Sequence, residues 1–141
     1  MADLPRTAVV ALATAVAVVV NLIVYAIGRA AGGSFLFTAD DRRVEVDAVT
    51  VAGFSALPLA LGLTAVAVLA PRFAWAVRAA LIVGPALAVL TIATMTLPAD
   101  LDATSKITLA ACHLTLAPII VVAVTALGRR ARRATAGPVA A

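Results

Sequence analysis

The charged residues of this chain are confined to short clusters, and four long stretches between the clusters carry no charge. These stretches contain 22, 24, 21 and 22 residues, in the order Thr7–Gly28, Ala48–Pro71, Ala79–Ala99 and Ile107–Gly128. A helix needs about 20 apolar residues to cross the roughly 30 Å hydrocarbon core of a bilayer. Because lipid offers backbone amides no hydrogen-bond partner, each stretch is predicted to be a transmembrane helix.

Composition excludes several classes of soluble protein. Hydrophobic residues make up 64% of the 141 residues and charged residues only 13%, which is about half of the usual charged share. A soluble enzyme, a nucleic-acid-binding domain and a disordered chain are therefore not expected. The formal net charge of +4 is assigned to arginines that flank membrane helices.

Residues 1–128 are predicted to form a single four-span transmembrane domain of the all-α class. The spans are expected at about 7–28, 48–70, 73–97 and 105–128, with an outer loop at 29–47. Short connections after the second and third spans force neighbouring helices to run antiparallel. The economical architecture is an up-down-up-down four-helix bundle.

The distribution of Lys and Arg predicts the orientation. Seven of these residues fall on one side of the predicted membrane and four on the other. The seven are Arg6, Arg72, Arg78, Arg129, Arg130, Arg132 and Arg133, and the four are Arg29, Arg42, Arg43 and Lys106. The richer side should be cytoplasmic. A multi-pass protein of the cell (plasma) membrane is expected, with both termini in the cytoplasm.

The outer loop carries the pattern of two short strands. The segment 43–47 alternates polar and apolar residues, which is typical of a half-buried strand. Phe35 and Phe37 also favour a strand, and Asp40 and Asp41 between the two segments are typical of a turn. We predict an extracytoplasmic β-hairpin between helices 1 and 2. Its valines and phenylalanines should pack on protein or membrane, because an isolated hairpin is marginally stable.

Polar side chains occur at similar depth in all four spans. A rise of about 1.5 Å per residue places Asn21, Ser55, Thr94 and His113 roughly 8–10 Å below the outer ends. Tyr25 lies one turn above Asn21 on the same face. An unpaired Asn or His in lipid would cost several kcal/mol, so a polar layer in the outer half of the bundle is predicted. Because the first and last spans are neighbours in a closed bundle, Asn21 and His113 should come within hydrogen-bonding reach.

The segment 129–141 begins with four arginines in five positions: Arg129, Arg130, Arg132 and Arg133. It has no apolar periodicity, and a disordered cytoplasmic tail is predicted. Its arginines should contact the headgroups of anionic lipids, an interaction worth about 1 kcal/mol for each basic residue near the surface.

Motifs of catalysis are absent from the sequence. The single cysteine, Cys112, excludes an internal disulfide and a multi-cysteine metal cage. The chain has no Gly-rich phosphate loop, CxxC, HExxH or GxSxG, and no charged residue accompanies His113 inside a span. Neither a cofactor nor a metal is predicted, and the chain is not expected to be an enzyme.

Two apolar segments and the outer loop carry a family resemblance. They are Asn21-Leu-Ile-Val-Tyr-Ala-Ile-Gly-Arg29, which closes the first span, and Leu109-Ala-Ala-Cys-His-Leu-Thr-Leu116 inside the fourth. With the strand pattern between the first two spans, they resemble an uncharacterised actinobacterial four-helix membrane-protein family, the domain of unknown function numbered 6069. The resemblance implies a four-span membrane protein without an assigned activity.

Three functional hypotheses remain open. The first is a non-enzymatic structural, interaction or accessory subunit of the cell envelope, with the bilayer, a membrane protein or further copies as partners and no nucleic acid. The second is a small transporter or channel component, suggested by Asn21, His113 and the mid-span prolines Pro58, Pro85 and Pro118. The third is a redox or haem-binding membrane subunit that uses His113.

Overall fold

The computed structural model describes residues 4–135, which form four long helices and one β-hairpin. The elements in chain order are α1 (Arg6–Ala30), β1 (Leu36–Ala39), β2 (Arg42–Glu45), α2 (Ala48–Leu69), α3 (Ala74–Thr91) with a π-helical continuation (Ile92–Thr96), and α4 (Ala103–Thr135). All four helices are long and apolar enough to cross a membrane. The predicted architecture, four spanning helices with a hairpin after the first, is confirmed, and the chain is a multi-pass membrane protein.

The helices pack unequally. α1 packs along α2 and α4, and α3 packs mainly on α4, whereas α2 and α3 touch little despite the tight turn between them. Small side chains and aliphatic residues fill the core between α1, α2 and α4, with Ala17, Leu63, Val124 and Leu127 almost fully buried. We call the end that carries the hairpin and the α3–α4 loop the hairpin end. The opposite end, which carries Arg6 and the last turns of α4, is the arginine end.

Close approach of α1 and α4 depends on a glycine. A Cβ atom at Gly28 would overlap the Thr108 side chain of α4. Small residues allow membrane helices to approach until their backbones are in contact, and this packing replaces the hydrophobic driving force that water would supply. Gly28 therefore fixes the separation of α1 and α4 at the hairpin end.

The hairpin has the two-residue turn that the aspartates suggested. β1 and β2 are antiparallel, with Phe37 opposite Val44 and Ala39 opposite Arg42. Asp40 and Asp41 connect them with φ values of 48° and 59°. Positive φ at both central residues is the signature of a type I′ turn, whose twist matches that of the strands, and Asp tolerates this backbone region better than most residues.

The end of α4 corrects the predicted tail. The sequence places a disordered tail from residue 129 onward, but the helix continues through the four arginines to Thr135. Arginine and alanine are strong helix formers, and positive charge in the last turn is favourable to the helix dipole. The rest of the predicted tail, 136–141, lies outside the described residues.

Candidate functional site

The strongest buried polar cluster joins α1, α2 and α4 around Asn21. This side chain is 1% exposed. Its Nδ2 donates to Ser55 Oγ at 2.7 Å, and its Oδ1 accepts from Thr115 Oγ1 at 2.6 Å. The Cys112 thiol approaches the main-chain oxygen of Asn21 at 3.7 Å. One asparagine thus links three helices through its own side chain and backbone.

Helix geometry explains which residues of α4 meet Asn21. Cys112 and Thr115 are three positions apart, and this spacing places them on the same helix face. His113 is about 100° around the helix from Cys112, so it points toward another neighbour. The depth that the sequence assigned to Asn21 and Ser55 agrees with their contact. Thr115 is not part of the predicted layer, although it lies only two residues deeper in the span than His113.

His113 pairs with α3. Its Nδ1 lies 3.1 Å from Thr91 Oγ1, and the Thr91 hydroxyl lies 3.0 and 2.9 Å from the main-chain oxygens of Leu87 and Ala88. A hydroxyl has one proton to donate. When that proton goes to the main chain, Nδ1 of His113 must carry a hydrogen and donate it, which leaves Nε2 as an acceptor. The expected pairing of His113 with Asn21 is replaced by this contact.

The backbone is irregular next to the histidine pair. The π-helical segment Ile92–Thr96 begins directly after Thr91, and the Leu97 amide donates to the Ile92 carbonyl at 2.9 Å. Pro85 lies about two turns before this segment in the same helix. π-helical turns are rare and are frequent at functional sites. The His113–Thr91 pair therefore lies at the one irregular stretch of α3.

Two other members of the predicted layer, Thr94 and Tyr25, make contacts away from Asn21 and His113. Thr94 is exposed on the surface of the helix and donates to the Leu90 carbonyl of its own turn at 3.0 Å. The Tyr25 ring packs against the Phe35 ring in a tilted arrangement, with ring centroids 4.7 Å apart. The layer consequently divides into an Asn21 cluster, defined as Asn21, Ser55, Cys112 and Thr115, and a separate His113–Thr91 pair.

A second polar centre fixes the hairpin to the bundle. Asp102 caps α4, because its carboxylate accepts from the backbone N–H of Ser105 at 2.9 Å, as helix-capping aspartates do. The same carboxylate accepts from the Ser105 hydroxyl at 2.6 Å and from the backbone and hydroxyl of Ser34 at 3.0 and 2.7 Å. The hydrogen bonds from Ser105 and then those from Ser34 hold the pKa of Asp102 well below its usual range.

Asp100 provides the next anchor along β1. It accepts from the backbone N–H of Thr38 at 2.8 Å and from its hydroxyl at 2.7 Å, and these bonds lower the pKa of Asp100. Phe35, which is fully buried, donates its backbone N–H to Ser105 Oγ at 2.8 Å. These anchors hold β1 along its length, so the hairpin is a fixed cap on the bundle.

The arginine end carries the residues predicted to contact lipid. Arg129, Arg130, Arg132 and Arg133 occupy the last turns of α4, and both Arg129 and Arg133 are exposed. Within residues 4–135, no group of three or more His, Cys, Asp or Glu side chains is arranged to hold a metal ion.

Comparison with known proteins adds a family assignment. The model of the family of unknown function DUF6069 matches residues 2–134. No curated protein and no solved structure matches the chain. Since the family model covers nearly the whole sequence, the chain belongs to the DUF6069 family.

Proposed function

We propose that this protein is a non-enzymatic integral membrane subunit of the cell envelope, with a structural, interaction or accessory role. The observation that carries the proposal is the closure of the Asn21 cluster. The Asn21 side chain donates to Ser55 and accepts from Thr115. Both its Nδ2 and its Oδ1 therefore hydrogen-bond to neighbouring helices. Such hydrogen bonds contribute about 0.6–2 kcal/mol in membrane bundles, which is the scale of a structural clasp.

Two further features support a role in interaction. The charged residues lie at the two ends of the bundle, so its middle offers lipid or a membrane partner an apolar surface. The hairpin end is anchored through Asp100 and Asp102 and presents a defined surface to its surroundings. The bias of seven arginines against four basic residues supports cytoplasmic termini in the cell membrane.

The proposal is tested by composition and permeability together. The protein would be extracted from its native membrane in lipid-retaining polymer particles, and purified protein would be reconstituted in vesicles of the same lipids. We expect an assembly of fixed stoichiometry in the particles and vesicle permeability equal to that of empty vesicles. Solute or ion flux that is lost in Asn21→Leu but retained in the lipid-exposed control Leu61→Ala would contradict the proposal.

The second candidate is a small transporter or channel component, favoured by the His113–Thr91 pair beside the π-helical segment. Broken or irregular helices line pathways in transporters, and an ionisable residue inside a span often marks such a path. Flux that disappears in His113→Leu, persists in His113→Gln and is unaffected in Leu114→Ala would establish it. A Soret band in purified protein that is lost in His113→Leu would instead support the haem-binding hypothesis.

The arginines of the last α4 turns are proposed to bind anionic lipid. Each basic residue near a membrane surface contributes about 1 kcal/mol toward anionic lipid. Replacing Arg129 and Arg133 with Gln should lower the fraction of anionic phospholipid that co-purifies with the protein. Replacing Arg42 and Arg43 at the hairpin end serves as the charge-matched control, and equal losses in both variants would contradict the assignment.

A further inference from the structure

The outer edge of β2 is a strand edge without a partner among the described residues. In the hairpin, Ala39 and Arg42 close the turn and Phe37 faces Val44, while the Val46 amide donates to the Phe35 carbonyl at 2.9 Å. Antiparallel strands alternate between hydrogen-bonded and non-hydrogen-bonded pairs. The backbone groups of Arg43 and Glu45 therefore point away from β1, to the open side.

The opposite edge of the hairpin, formed by β1, has side-chain acceptors for its outward N–H groups. The outward backbone N–H of Thr38 on β1 is taken by Asp100 at 2.8 Å, and that of Leu36 by the Ser34 hydroxyl at 3.4 Å. Within residues 4–135, no such acceptor covers β2, whose four residues are all exposed. An uncovered strand edge is a template for pairing with another strand.

The residues on this edge are complementary to a second copy of themselves. If two β2 strands pair antiparallel about a two-fold axis at Val44, Arg43 of each copy lies opposite Glu45 of the other. The outward backbone groups of these two residues then form hydrogen-bonded pairs, and the two Val44 residues form the non-hydrogen-bonded pair between them. Opposite charges directly across two strands stabilise a sheet.

Glu45 already contacts Arg29 of its own chain at 2.7 Å, in an exposed ion pair. This contact leaves capacity for a second cation, because a carboxylate has about four acceptor positions.

The place of the hairpin at one end of the bundle is compatible with such pairing in one membrane. Phe35, just before β1, and Val46, just after β2, pack on the helices, and β1 reaches across to Asp100. A two-fold axis at the β2 edge that runs parallel to the helix axes would carry one copy onto the other. Both copies then span the bilayer in the same direction.

We propose that β2 is a homodimerisation edge, on which two copies of this protein form a four-stranded sheet in the order β1-β2-β2-β1. The bilayer already holds both copies at one depth and in one orientation, which reduces the entropy lost on association. The inference gives the proposed interaction role a surface and a partner. A monomeric protein in the membrane would overturn it without deciding the composition and permeability experiment above.

Disulfide trapping tests the register directly. In full-length protein with Cys112→Ala, Val44→Cys places two thiols on the non-hydrogen-bonded pair, where Cα atoms are about 4.5 Å apart and a disulfide fits. Arg42→Cys is the matched control, on the same strand and the same face. The two copies of residue 42 would lie roughly 13 Å apart along the strands, beyond the reach of a disulfide.

Membranes containing either variant would be treated with a mild oxidant and resolved without reductant. We expect the Val44→Cys dimer to exceed the Arg42→Cys dimer by about tenfold, because only the first pair meets the disulfide distance. Equal yields, or no dimer, would overturn the proposal. A reducible product whose mass is not twice that of the chain would also overturn it, in favour of a different protein on this edge.

Charge exchange supplies an independent measurement in the Val44→Cys background. Arg43→Glu alone and Glu45→Arg alone each place like charges across the two-fold, so trapping of each should fall several-fold. When the two variants are co-expressed with different tags, both cross-strand positions again have opposite charges. Recovery of a mixed dimer is expected, and its failure while both chains remain in the membrane would overturn the register.

Discussion

The hydroxyl of Thr115 donates a 2.6 Å hydrogen bond to the side-chain oxygen of Asn21, which lies 94 positions earlier in the chain. The same asparagine donates its amide to Ser55 at 2.7 Å. The first, second and fourth helices are therefore held at one level by a single amide group. α3 takes no part in this cluster and is joined to α4 through Thr91 and His113 instead.

Substitution of Asn21 should show that the Asn21 cluster and the His113–Thr91 pair contribute independently to the free energy of unfolding. Asn21→Leu and Thr115→Val should each destabilise the protein by about 0.6–2 kcal/mol, and the double variant should lose less than the sum because one hydrogen bond is shared. Asn21→Leu combined with His113→Leu should be additive. Thermal unfolding in detergent measures both cycles, and coupling of Asn21 to His113 instead of Thr115 would contradict the two-cluster arrangement.

The close approach of α1 and α4 makes Gly28 intolerant of substitution. Gly28→Ala places a methyl group into the Thr108 side chain and should cost about 1–3 kcal/mol, as overpacking does. Gly62→Ala is the control, because a Cβ at that position would meet no atom within 4 Å outside the adjoining backbone of its own helix. It should be neutral or slightly stabilising. Equal effects of both substitutions on thermal unfolding would contradict the packing at Gly28.

Asp102 should stabilise the hairpin end through most of the accessible pH range. Its pKa in the folded protein is lowered by the bonds from Ser105 and Ser34. A lowered folded pKa gives stability that is present above the unfolded value and lost as pH falls through the folded value. The melting temperature of the wild type should therefore exceed that of Asp102→Asn by a constant amount from pH 8 to pH 5, and the difference should shrink only in stronger acid.

The matched control is Asp40→Asn, which lies at the exposed tip of the turn and keeps a residue suited to positive φ. It should leave the melting temperature unchanged. A difference between wild type and Asp102→Asn that already vanishes at pH 6 would contradict the charge-assisted anchor. Hydrogen exchange of residues 34–38 should accelerate in Asp102→Asn and stay slow in the control.

Cysteine labelling can test the membrane orientation that we propose from the arginine distribution. In a Cys112→Ala background, Arg42→Cys and Thr135→Cys should react with a membrane-impermeant reagent from opposite sides, with residue 42 labelled in intact cells. Replacing Arg42 takes positive charge from the side with fewer basic residues, so it does not weaken the predicted bias. Labelling of residue 135 in intact cells would reverse the assignment.

The parts of the fold that depend on local pattern were predictable. Uncharged length predicted the four helices, and alternation with two aspartates predicted the hairpin. The continuation of α4 to Thr135 was missed because four arginines in five positions were interpreted only as a boundary, although arginine is a good helix former.

The hydrogen-bond partners of the buried polar groups were harder to predict from the sequence. Counting residues from a helix end gives depth along the axis, but contacts also require the angle around the axis. Asn21 and Ser55 lie at the same depth and face each other. His113 lies at the same depth as Asn21 but faces α3. The anchoring of Thr38 by Asp100 joins two loops 62 positions apart, and no local pattern in either loop contains that information.

The hairpin is translated before most of the groups that hold it exist. Ser34 and Thr38 donate hydrogen bonds to Asp102 and Asp100, which lie 68 and 62 positions later in the chain. The Phe35 amide donates to Ser105, which is also made later. A two-stranded hairpin is marginal alone. During biosynthesis, the segment between the first two helices therefore cannot form these hydrogen bonds until the residues at the start of α4 have been made. The start of α4 and the loop before it thus complete a hairpin that lies more than 60 positions earlier in the chain.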